Sequence, residues 1–212
     1  MNFELESFNT TSEQLQNFDS DTLLRFEANT EIALIIDEFE DIKTIQFNSF
    51  GMGICDNEPH EFPEYFKLYS PNESAYYFLG FTLVNHNEFS YMNITIRDRN
   101  INLAMGDYLI ILFEDGHKIK HTFGKSRTGN QYHSSNIIPL DKSILTSLLS
   151  RNISKVKVVS KRKNIYSVYQ VNNKLNEGES VFKFSYTNRT DGQLLLKFMT
   201  YKFIDFNLKN KI

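Results

Sequence analysis

An Asp115-Gly116 pair lies between two apolar-rich runs, Tyr108–Phe113 (YLIILF) and Lys118–Phe123 (KIKHTF). Asp and Gly tolerate the positive φ angles that a tight hairpin turn demands, so this is the strongest short-range hairpin signal in the chain. Taking Asp115 and Gly116 as a two-residue loop pairs Glu114 with His117, Leu112 with Ile119, Ile110 with His121 and Tyr108 with Phe123. The opposite face then pairs Phe113 with Lys118 and Ile111 with Lys120. The first face is the less charged, so this register predicts that Tyr108, Ile110 and Leu112 point into the core.

A chain with one such hairpin needs further strands to bury it, and several segments qualify. Thr22–Ala28 and Lys43–Asn48 alternate, and Glu31–Asp37 (EIALIID) is nearly continuous apolar, as a strand buried on both faces would be. Tyr76–Val84 and Tyr91–Arg97 are separated by Asn-rich turn residues, and Ser154–Ser160 and Ile165–Val171 flank the polar tip Lys161–Asn164. Asn136–Leu140 and Val181–Tyr186 are shorter strand candidates. The 19 Phe and 11 Tyr fit pleated surfaces.

Helices are fewer. Asp141 is placed to cap Lys142–Ser150, where Ile144, Leu145, Leu148 and Leu149 form one stripe. Thr11-Ser12-Glu13-Gln14 and Thr190-Asp191-Gly192-Gln193 both fit capping boxes. The second predicts a helix near 191–206, with a strand as the alternative; its apolar residues cover most of the circumference, so it belongs in the core or against a partner. Gly51–Pro71 holds three prolines and two glycines and reads as an irregular excursion with one helical turn around Glu64–Leu68. The expected fold is α+β, mainly antiparallel β in a sandwich or strongly bent sheet. It forms one domain over 1–212, with a weak boundary in 51–73.

The net charge of −3 is unevenly spread. Residues 1–90 carry 17 acidic and 3 basic side chains, a net of −14, whereas residues 91–212 carry a net of +11. Such a split points to charged partners, or to two halves that neutralise each other. The basic stretch holds Arg151, Lys155, Lys157, Lys161, Arg162 and Lys163. These could meet phosphates, but no aromatic residue is interleaved with them along the chain. The simpler reading is a solvated edge strand guarded by lysines.

No catalytic or metal motif is complete. Gly124-Lys125-Ser126 ends like a phosphate-binding loop, yet Ile119 stands where its first glycine should be. His117 and His121 on a strand are roughly 13 Å apart along it, too far to share one ion. Cys55 is the sole cysteine, and with His60 it makes the best enzyme-like pair. Asp56 and Glu58 beside it would disfavour the thiolate. No cofactor or metal is expected. With no signal-like N-terminus and no apolar run near membrane-spanning length, the expected location is the cytoplasm. The leading functional expectation is a non-catalytic binding protein with a protein partner or itself as target. Alternatives are a hydrolase using Cys55 and His60, or nucleic-acid binding through the basic hairpin 151–163, chiefly Lys157, Lys161, Arg162 and Lys163 with Arg151.

Overall fold

A computed structural model describes residues 32–40, 42–47, 52–55, 58–61, 66–69, 78–87, 89–98, 100–101, 103–125, 128–129, 133–169 and 189–210. Over these the chain is mainly antiparallel β, in sheets of seven, four and two strands, with two helices. The capping box at 11–14 and the strands expected at 22–28 and 181–186 lie outside the described residues.

The larger sheet is built from β1 (Ile32–Asp37), β2 (Ile42–Phe47), β5 (Phe66–Tyr69), β6 (Phe78–His86), β7 (Phe89–Arg97), β10 (Thr128–Gly129) and β11 (His133–Pro139). Its centre is the β6–β7 hairpin, closed by the pair His86–Phe89 with Asn87 at φ 46°. On the side away from β7, β6 pairs first with β5 and then with β2. The segment expected to make a helical turn therefore supplies a strand, because Phe66 to Tyr69 pair in register with Phe81 to Phe78. Also within the expected irregular excursion, β3 (Met52–Cys55) and β4 (Glu58–Glu61) form a two-stranded ladder.

Glu31–Asp37 is not buried on both faces. Among the described residues β1 pairs only with β2. Ile32 and Leu34 pack against the core, while Ile35 and Ile36 are about half exposed, at 47% and 52%. A continuous apolar run cannot by itself distinguish a central strand from a half-covered one.

The four-stranded sheet runs β13–β12–β8–β9, with β8 (Tyr108–Phe113), β9 (Lys118–Thr122), β12 (Ile153–Ser160) and β13 (Ile165–Tyr169). The β8–β9 hairpin forms where expected, but its register differs by one residue. The observed pairs are Leu112–Lys118, Ile111–Ile119, Ile110–Lys120, Leu109–His121 and Tyr108–Thr122. Gly116 N–H donates to the Phe113 carbonyl at 3.1 Å, Phe113 N–H donates to the His117 carbonyl at 3.0 Å, and Gly116 has φ 86°. The loop is thus three residues, Glu114-Asp115-Gly116, a turn ending in a left-handed glycine. One added loop residue reverses which face is inward. Leu109, Ile111 and Phe113 are buried, whereas Tyr108, Ile110 and Leu112 are only partly covered.

The inner faces of both sheets and parts of both helices make one contiguous core cluster. Helix α1 (Lys142–Ser150) starts as expected: the Asp141 carboxylate accepts from Ile144 N–H at 2.8 Å. Such a cap is worth about 0.5–2 kcal/mol. Leu145 and Leu148 are its buried apolar residues. Helix α2 (Arg189–Asn210) is longer than expected at both ends and includes Asp191 and Gly192 within its turns. It is a core element. Leu196, Phe198, Met199, Phe203 and Ile204 are all buried, which accounts for a surface that is apolar nearly all round.

Two side-chain contacts fix the position of α2. Gln193 pairs with the backbone of Ile153, its amide nitrogen donating to the carbonyl at 2.5 Å and its oxygen accepting the N–H at 3.0 Å. Phe113, opposite Ile153 on β8, directs its own N–H and carbonyl to the β8–β9 turn, and among the described residues β13 reaches β12 only from Val156 onward, so Gln193 supplies the partners of Ile153. At the other end, the Asn85 amide on β6 donates to Asn207 Oδ1 at 2.6 Å.

Candidate functional site

The outward face of the four-stranded sheet follows from the register. Side chains alternate along each strand, so the neighbours of Tyr108, Ile110 and Leu112 are Thr122, Lys120 and Lys118 on β9. On β12 they are Val159, Lys157 and Lys155, and Tyr166 and Val168 on β13 continue the same rows. Lys118, Lys120 and Lys155 are exposed, and Tyr166 is 62% exposed. None of the four strands contains an aspartate or glutamate. The result is a pleated surface with four lysines, two tyrosines and a strip of aliphatic side chains.

The lysines and rings are in contact. Lys120 Nζ lies 4.6 Å from the Tyr108 ring centroid, and Lys161 Nζ lies 5.7 Å from it. Lys157 Nζ lies 4.1 Å from the Tyr166 centroid. The aromatic interleaving that the linear order of 151–163 lacks is supplied across strands, from β8 and β13. Lys155 and Lys157 also do not sit on an edge, since β12 is flanked by β8 and β13. The reading of lysines that guard an edge strand is corrected accordingly.

The tip Lys161–Asn164 forms as expected, with Asn164 at φ 54°. A buried carboxylate holds it: Asp107 accepts from Lys161 N–H at 2.9 Å through one oxygen and from Ala104 N–H at 3.3 Å through the other. Lys163 Nζ donates to the Asn100 carbonyl at 2.8 Å, and Arg162 is exposed. A second buried carboxylate, Asp98, accepts from the Ser167 and Tyr169 hydroxyls at 2.9 and 2.6 Å and from Asn100 N–H at 2.7 Å. It fastens the end of β7 to β13. Arg151 does not join this surface; its guanidinium is ion-paired with Asp115 in the β8–β9 turn.

Of the sequence candidates, the structure thus brings Lys157 and Lys161 to the tyrosines and leaves Arg151 elsewhere. The residues missed were Lys118, Lys120, Tyr108 and Tyr166. The assumed two-residue loop had placed Tyr108 in the core and the two lysines on the opposite face. Counting three loop residues would have gathered them.

Cys55 and His60 lie on the β3–β4 ladder, where Cys55 pairs with Glu58 and His60 with Gly53. They are diagonal neighbours, about 7–8 Å apart in a regular antiparallel pair. His117 Nε2 is 3.4 Å from Ser147 Oγ, and its ring rests 5.6 Å from that of Phe113. His121 packs edge-on to Phe123 at 5.5 Å. Burial pushes its imidazole below the ordinary 6.5, against a hydrogen bond to the backbone of Ile137 that acts the other way. Among the described residues no cluster of three or more His, Cys, Asp or Glu could hold a metal ion. Nor is any helix among them long and apolar enough to cross a membrane. No family model, curated protein or solved structure matches this chain.

Proposed function

We propose that this chain is a non-catalytic binding protein that receives an anionic partner on the lysine-and-tyrosine face of the four-stranded sheet. The observation that carries the reading is the gathering of Lys118, Lys120, Lys155 and Lys157 on one pleated face whose strands hold no carboxylate. A single exposed ion pair contributes at most about 1 kcal/mol, so the number of cations on one surface matters more than any one of them. Lys161 and the exposed Arg162 extend the positive field beyond the sheet. The acidic first half repels the same partner and so helps to orient it. A chain with a single cysteine suits a reducing compartment, and the cytoplasm is the one proposed.

The test is retention of the full chain on immobilised heparin at about 50 mM salt, where counterion release favours binding. The expected result is retention, with elution of the Lys120→Gln/Lys157→Gln variant at lower salt than the parent. Passage of the parent through the column without delay would contradict the reading.

A further inference from the structure

Resting on that reading, we infer that the anionic partner is a single-stranded nucleic acid whose bases stack on Tyr108 and Tyr166. The two rings lie in one cross-strand row, Tyr108–Val159–Tyr166, so their strands are two interstrand spacings apart, about 9.5 Å. Each ring has an ammonium group within 6 Å of its centroid. A pleated face that presents spaced aromatic rings among cations is the arrangement by which sheets receive unpaired bases and their phosphates.

The alternatives fit less of the surface. An acidic peptide would engage the lysines and has no group that needs the rings. A duplex keeps its bases within its own stack and offers only phosphates to the lysines. A single strand uses both: its phosphates draw Lys120 and Lys157 away from the rings, and the freed ring faces receive bases. Tyr166 is 62% exposed, so its truncation empties no packed site and loses chiefly the contact with Lys157. The aliphatic row Ile110, Leu112, Val159 and Val168 offers apolar contact beside the rings.

The experiment is fluorescence anisotropy of the full chain with labelled dT20, a 20-base-pair duplex, heparin and polyglutamate, at several salt concentrations. The expected result is tightest binding to dT20. Tyr166→Leu weakens it by about 5- to 100-fold, the range that loss of one base stack implies, and Tyr166→Phe leaves it close to the parent. Lys120→Gln lowers the slope of log affinity against log salt by about 0.7, one phosphate contact on a single strand. Equal affinity for the duplex or heparin, unmoved by Tyr166→Leu, overturns the inference and leaves the anionic-partner reading standing. Binding of polyglutamate without dT20 does the same. Failure to bind any of the four probes removes both.

Discussion

At the scale of single residues, the polar groups inside this protein act as ties between elements. Asp98 and Asp107 are almost fully buried, yet both are tied to distant elements: Asp98 accepts from the Ser167 and Tyr169 hydroxyls, and Asp107 from Lys161 N–H as well as from nearby Ala104. A buried carboxylate without such donors would cost several kcal/mol. Gln193 plays the neutral counterpart at Ile153. His121 is different, because its surroundings favour the uncharged ring. Its folded value lies below the 6.5 of the free side chain, so the folded state binds its proton less readily than the unfolded one. The associated stability is complete above about 6.5 and is lost as pH falls through the lowered folded value. Thermal melts at about pH 7.5 and pH 5 should show a larger drop for the parent than for His121→Gln. Equal drops would mean that the imidazole is not held neutral by the fold.

At the scale of elements, the decisive one is the β8–β9 hairpin. Its existence was legible from Asp115-Gly116, but its register was not, because the same dipeptide closes loops of two or three residues. Strand patterning did not arbitrate: both faces of YLIILF are apolar except at Tyr108. Truncation distinguishes the faces. Ile111→Ala should cost about 2–5 kcal/mol, the range for emptying a packed site, and Ile110→Ala should cost less than about 1 kcal/mol. Equilibrium denaturation of the two variants measures this, and a reversed order would mean that the hairpin slips to the other register. Other elements were easier to read. Asp141 and the Leu145/Leu148 stripe defined α1 because cap and periodicity agree. The helix expected from the Thr190–Gln193 capping box forms as α2 but begins two residues earlier, at Arg189, and Gln193 holds that end in place against Ile153.

At the scale of the whole molecule, charge matters through where the fold gathers it rather than through its sum. A net of −3 gives no hint of a cationic platform. The basic stretch 151–163 was visible in the sequence, but Tyr108, and with it Lys118 and Lys120 of the same hairpin, reach it only because β8 pairs with β12 across 40 to 51 residues. Pairings of that range leave no local pattern, which is why the fold class was readable and the site was not. The α+β class needed only local signals: hairpin turns, alternation and one good cap. The proposed partner engages this sheet face and not the acidic half. Amide chemical-shift mapping of the isotope-labelled full chain during a heparin oligosaccharide titration tests it directly. The largest shifts are expected in 108–112, 118–122, 155–161 and 166–168. Shifts centred on 32–47 or 78–97, with those four segments unmoved, would contradict it.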